Sequence, residues 1–418
     1  MSGPELARRL GTGDAVVIGL GSMVGAGVFA AFAPAARAAG AGLLIGLALA
    51  AAVAYCNATA SAQLAAEYPE SGGTYVYGRA RLGPWWGFLA GWGFVVGKTA
   101  SCAAMALTFA AYTVPTQWQR PTAVAVVLVL TAVNYRGITR TAGLTRVLVA
   151  VVLVALGVAV VASLAGGDPA ASHLAVGSDG TAYGVLQAAG LLFFAFAGYA
   201  RIATLGEEVR DPERTIPRAI PLALGLAVAV YAVVALTLLL VLGPEGIAAT
   251  AAPVVAAVQA GAWSELVPVV RIGAATASLG ALLALIAGVS RTVLAMARED
   301  DLPRWLSAVH PRFRVPHRAE LVLAFAICLL VLTVDLRGAI GFSSFGVLLY
   351  YVVANLAAFT QSADRRRWPR WLQVGGALGC LVLVAALPWT SVAAGAAVFA
   401  VGLVYRVVRL HLRPSRPA

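Results

Sequence analysis

Long apolar runs that contain no charge recur along this chain, and they limit its fold more than any other feature. One reads V-L-V-A-V-V-L-V-A-L-G-V-A-V-V, from Val147 to Val161, and another, from Ala219 to Pro244, is also free of charged residues. Apolar stretches of about 18 residues or more are long enough to cross a bilayer as helix. Hydrophobic residues make up 61% of the 418 positions and charged residues only 11%, with a mean hydropathy of +0.86. Soluble domains carry about 25% charge, so the chain is an integral membrane protein.

Taking charge and Pro/Gly punctuation as boundaries gives about twelve spans. They run near 14–36, 40–65, 85–113, 121–134, 144–164, 184–206, 218–243, 266–297, 319–334, 337–360, 371–387 and 390–408. The stretch 244–265 is expected to hold small helices outside the membrane. The formal charge of +12 is not a nucleic-acid signal, because the arginines gather in alternate short loops. One side takes Arg8, Arg9, Arg79, Arg81, Arg136, Arg140, Arg210, Arg214, Arg218, Arg304, Arg312, Arg314, Arg318, the run Arg365–Arg367 with Arg370, and the tail. The other side has little beyond Arg37, Arg120, Arg271 and Arg337. Excess arginine marks the cytoplasmic face, which puts both termini inside, in a plasma (inner) membrane.

The four cysteines (Cys56, Cys102, Cys328, Cys380) fall in apolar segments without metal-ligand spacing and read as small buried residues. The four histidines are placed in loops or the tail, which leaves no histidine relay inside the membrane. The polar start, Met1 to Gly13, and the long glycine-rich run after it do not resemble a cleavable signal peptide. No metal or organic cofactor is expected.

The first span carries I-G-L-G-S-M-V-G-A-G-V-F, Ile18 to Phe29, with glycine at 19, 21, 25 and 27. Each glycine inside a helix costs roughly 1 kcal/mol relative to alanine. A phosphate-binding loop would need a strand before it, and none precedes it. Two roles remain: close helix packing of the small-xxx-small type through Gly21 and Gly25, or a span interrupted at its middle. Irregular backbone at membrane depth survives only where protein encloses it. An interrupted span in a carrier with an inverted repeat predicts a second interruption five spans later. The sixth run, F-F-A-F-A-G-Y-A-R-I-A-T-L-G-E-E (Phe193 to Glu208), has Gly198 at mid-span and then Arg201.

These residues also resemble a family. The segment G-S-M-V-G-A-G-V-F (Gly21–Phe29) is similar to the first-helix signature of the amino acid–polyamine–organocation permeases. Three further stretches resemble them in the same order: E-Y-P-E-S-G-G-T-Y-V-Y (Glu67–Tyr77), E-E-V-R-D-P-E-R-T-I-P-R-A-I (Glu207–Ile220) and S-R-T-V-L-A-M-A-R-E-D-D-L-P (Ser290–Pro303). The resemblance spans nearly the whole chain. It implies an all-α membrane protein of the LeuT-type fold, a single transporter domain with a 5+5 inverted repeat and broken helices 1 and 6. The first half would cover about 14–164, the second about 184–360, and two extra helices about 371–408. It also implies secondary transport of an amino acid or related amine. Ser22, Met23, Gly25, Ala26 and Gly27 match carboxylate-binding positions. Phe194, Phe196, Ala197, Gly198 and Tyr199 match positions that hold the amine through carbonyls and cover the side chain. Phe194 and Phe196 also suit plain core packing.

Several relatives carry a carboxylate where this chain has Ala200. A carboxylate is the usual partner of a second ammonium in a low-dielectric site, so a neutral, or else acidic, amino acid is expected rather than a polyamine, arginine or lysine. Of the thirty basic side chains all but Lys98 are arginine, and Lys98 lies inside the third span, about 18 Å from Trp86 at ~1.5 Å per residue. Intramembrane ionisable residues are functional candidates by default. Some proton-coupled relatives carry a lysine in the fifth helix, whereas Val147–Leu153 has none. Lys98 is therefore a candidate coupling group, the alternative being a structural contact with carbonyls or the far interface. Arg201 is a candidate inner gate with Glu207, Glu208 or Asp14, the alternative being a snorkelling anchor. Ser290 and Thr292 could supply oxygens to a sodium ion. A membrane enzyme would need paired acids, a base or a nucleophile at depth, which the spans lack, so no enzymatic activity is expected. A channel or sensor is the competing class.

Overall fold

The computed structural model describes residues 10–69, 72–137, 142–175 and 181–411. Arg8, Arg9, Arg140, the tail arginines Arg413 and Arg416, and both chain ends lie outside the described residues. Among the described residues the regular structure is helical, joined by turns, and the one β-type contact is an isolated pairing of Leu10 with Val209.

Every expected span has its helix. The first is α1 (Thr12–Met23), α2 (Ala26–Ala30) and α3 (Phe32–Ala39), and α4 (Leu43–Glu67) is the second. A short α5 (Thr74–Leu82) leads into α6 (Pro84–Thr113), followed by α7 (Gln119–Tyr135) and α8 (Ala142–Gly166). The sixth span is α9 (Ala182–Phe196) plus one turn, α10 (Ala200–Ala203), and the seventh is α11 (Pro212–Ala249). The connecting stretch holds α12 (Pro253–Gln259), as expected for 244–265. Then come α13 (Val267–Arg298), α14 (His317–Thr333), α15 (Leu336–Phe359), α16 (Arg370–Ala386) and α17 (Trp389–His411). Among the described residues eight stretches are long and apolar enough to cross a membrane, α9 and α16 are shorter apolar helices, and α7 and α14 fall in neither group.

Boundaries differ from expectation where prolines and glycines act locally. Helix α11 starts at Pro212, whose missing N–H is harmless in a first turn, and bends at Gly243, φ 65°. His317 and His411 belong to helix ends rather than to loops. Cys102 and Cys380 are buried as expected, while Cys56 and Cys328 are only half-buried.

Helices α1, α2, α9 and α10 lie at the centre, with α6, α11, α13 and α15 packed around them. The closest large contact joins α6 to α15, where a Cβ at Gly93 would stand 2.8 Å from the Gly346 carbonyl oxygen. The small-residue packing considered for the first span therefore also operates in the third.

Two of the motif stretches meet at one end of the bundle. Asp301, 5% exposed, accepts from Tyr75 Oη at 2.8 Å and Arg79 Nη1 at 2.9 Å, and pairs with Arg406 of α17. Arg79 also pairs with Glu299 at 3.0 Å, and Asp300 holds Arg304 and Arg409. A cavity of about 220 Å³ opens beside this cluster. Its three carboxylates are each engaged by arginine, so it ties α5, α13 and α17 together.

Candidate functional site

Helix α1 stops at Met23 because Val24 (ψ 38°) and Gly25 (φ −85°, ψ −138°) leave helical geometry, and the helix restarts at Ala26. The carbonyls of the last turn before such a break lose their own partners. Pro34, which cannot donate to Ala30, adds a bend at Ala31. The second interruption follows Phe196: Ala197 to Tyr199 are turns, and beyond them tight bonds such as Arg201 N to Gly198 O (3.0 Å) replace the regular ladder.

The two interruptions touch. A Cβ at Gly198 would overlap the Ser22 carbonyl and lie 2.6 Å from the Met23 nitrogen. A Cβ at Gly27 would stand 2.6 Å from the Cα of Ala195. Only hydrogen fits at either place, which accounts for two of the costly glycines. Gly21 and Gly25 face Val149 of α8 and Ala281 of α13, so the glycine run serves both roles the sequence left open. Ser22 and Gly198 are half-buried, while Met23, Gly25, Ala26 and Gly27 are buried.

Four carbonyls at or beside the breaks are taken by side chains from other helices. Tyr231 of α11 bonds Met23 O at 2.6 Å and Ala195 O at 2.9 Å, so one hydroxyl spans both interruptions. Lys98 of α6 donates to Ala197 O at 3.2 Å and is 7% exposed. The lysine therefore reaches the centre of the molecule and does not snorkel. Tyr112 of α6 donates to Phe29 O at 2.9 Å.

The remaining candidates separate. Phe196 is fully buried with its ring 5.0 Å from that of Tyr231, and Phe194 keeps 7% exposure. Tyr199 turns from the breaks toward α15, stacking on Tyr351 at 5.2 Å. Asp14 pairs with Arg146 of α8 instead of Arg201, because α1 packs alongside α8. Arg201 donates to Thr204 Oγ1 at 3.3 Å, and the Glu208 carbonyl accepts from Leu10 N at 3.1 Å. Ser290 Oγ donates to Ile286 O at 2.5 Å, and Thr292 Oγ1 to Gly288 O at 3.2 Å, within their own helix.

Tyr231 and Tyr351 were not singled out from the sequence. Each lies in an apolar run, and nothing local there marks a hydroxyl that will be buried among distant helices.

A polytopic helical membrane protein, with two broken segments held together at its centre, belongs to the class of membrane transporters. The chain belongs to the amino acid permease family, which matches residues 14–413. An uncharacterized transporter of Mycobacterium tuberculosis is 64% identical over 413 residues, 99% of this chain and 94% of that protein. The branched-chain amino acid permease BcaP of Bacillus subtilis is 25% identical over 428 residues, 93% of this chain and 90% of that one. Cationic amino acid transporter 7 of Arabidopsis thaliana is 27% identical over 387 residues, covering 86% and 66% respectively.

Proposed function

We propose that this permease carries a neutral amino acid across the plasma membrane by alternating access. In this reading the fold is LeuT-type, with about twelve crossings, inverted halves at about 14–164 and 184–360, and both termini cytoplasmic. The observation that carries it is the meeting of the two interruptions, Gly198 against Ser22, under one Tyr231 hydroxyl. Backbone N–H groups around Gly25–Gly27 suit a substrate carboxylate. Carbonyls around Ala197 suit its ammonium, and Lys98 now occupies one of them.

That contact supports two finer points. A lysine ammonium beside Ala197 would repel a second cation on the substrate, and Ala200 offers no carboxylate to balance one. The relatives named for cationic amino acids therefore do not set the substrate here; the branched-chain permease is the better guide. Lys98 also competes with the substrate amine for the same carbonyl. We assign it the coupling role: charged, it holds the second interruption, and on losing its proton it yields the carbonyl. Arg201, with Glu208 as its charged neighbour, and Glu207 belong to the inner gate, and Ser290 is the candidate oxygen on α13.

Counterflow into proteoliposomes, with the twenty amino acids tested singly under imposed pH and sodium gradients, tests this. Saturable exchange of neutral amino acids is expected, driven by a pH gradient or by exchange. Uptake of polyamines, arginine or lysine alone would overturn the substrate class, and linear non-saturating flux would indicate a channel.

A further inference from the structure

Tyr199 and Tyr351 hydroxyls are both buried and approach each other and Cys380 of α16, yet neither makes an aligned hydrogen bond. One turn along α15, Asn355 donates to Asn57 Oδ1 of α4 at 2.6 Å, while its own Oδ1 has no partner. Asn57 directs its amide to Cys380 Sγ at 3.2 Å. Gly376 of α16 packs directly against Asn355, since a Cβ there would stand 2.5 Å from that oxygen and 2.9 Å from the amide nitrogen. One turn before Gly376, Gln373 is 1% exposed with neither side-chain oxygen nor nitrogen partnered. Beyond the end of α15, the fully buried Gln361 donates to Glu67 and leaves its own Oε1 unpartnered. Glu67 in turn meets Arg81 at 3.4 Å.

Among the described residues, six of the twelve buried side-chain polar atoms without a partner belong to Tyr199, Tyr351, Asn355, Gln361 and Gln373. Polar residues that merely glue membrane helices bond to one another. Along α4, α15 and α16, Asn57 and Gln63 are bonded in that way, whereas Tyr351, Asn355 and Gln373 each keep an unpartnered atom. Burying such groups unpaired is heavily penalised, and ordered water is their usual partner. We infer that ordered water molecules fill this line, forming a built water-binding track from Tyr199, at the second interruption, to Glu67 and Arg81. The track hydrates one flank of the transport site while the helices stay packed, and protons can pass along it. Only that last use rests on the transport reading; the water itself does not.

Radiolytic hydroxyl-radical labelling of the full chain in lipid nanodiscs tests the track, because bound water oxidises the buried side chains beside it. Tyr351 should be modified about tenfold faster than Tyr112 and Tyr231, which are equally buried but hydrogen-bonded to carbonyls. Equal, slow labelling of all three would overturn the proposal. Gln373→Leu removes two unpartnered atoms from the line and should slow labelling of Tyr351 several-fold while leaving Tyr112 unchanged. Undiminished labelling there would remove Gln373 from the track. Neither measurement depends on uptake, so failure of the transport reading would show separately.

Discussion

In the first interruption the chain leaves helical geometry for two residues, Val24 and Gly25, and at Ala26 the helix resumes. In the second it passes through Ala197–Tyr199, makes the single turn Ala200–Ala203, and stays in turns until Pro212. The first is dense in glycine because neighbours crowd it on several sides: Val149, Ala281 and Ala195. The second carries two glycines, Gly198 against Ser22 and Gly206 against Pro69, and two carbonyls at its start, Ala195 and Ala197, are held from outside by Tyr231 and Lys98. A break can thus be accommodated by removing side chains or by supplying donors. The donor-supplied break is the more readily switched, since a donor can let go, whereas a missing Cβ cannot be restored.

Five substitutions would break or sharpen that contrast. Gly198→Val forces a branched side chain into the Ser22 carbonyl, which as backbone cannot move aside as a flexible side chain would. Uptake in proteoliposomes should fall about a hundredfold or more, with size-exclusion chromatography reporting whether the fold survives. Lys98→Met leaves Ala197 O without its donor, and an unpaired buried carbonyl costs about 1–3 kcal/mol, about a tenfold loss of uptake. Lys98→Arg keeps the charge but does not titrate, so its uptake should lose the pH dependence of the parent; an unchanged profile would remove Lys98 from coupling. Tyr231→Phe retains the ring against Phe196 and deletes the bridge between the breaks. Thermal unfolding should show a loss of about 1–3 kcal/mol, with uptake lowered only several-fold. Gly225→Ala in α11 meets nothing within 4 Å and should be neutral or stabilising by about 0.5–1 kcal/mol in the same assay.

Much of this was legible in the residues. Uncharged apolar runs placed the helices, and Gly25 and Gly198 marked both interruptions at their observed positions. Lys98 stood out because a lone intramembrane lysine is costly anywhere. Its contact with Ala197 was not legible, because α6 and the sixth span are nearly one hundred residues apart in the chain. Tyr231 and Tyr351 passed as ordinary aromatic residues, since nothing local distinguishes a hydroxyl that finds a carbonyl from one that does not. Of the three acids open to Arg201, namely Glu207, Glu208 and Asp14, the last pairs with Arg146 instead, a choice made by which helix lies beside α1.

Local physics fixed what each segment is. Transfer out of water made the apolar runs helices, and the conformational freedom of glycine set where two of them give way. Distant packing decided which groups complete those breaks. A freed carbonyl accepts from any donor within about 3 Å, and only the arrangement of α6 and α11 around the centre brings Lys98 and Tyr231 that close.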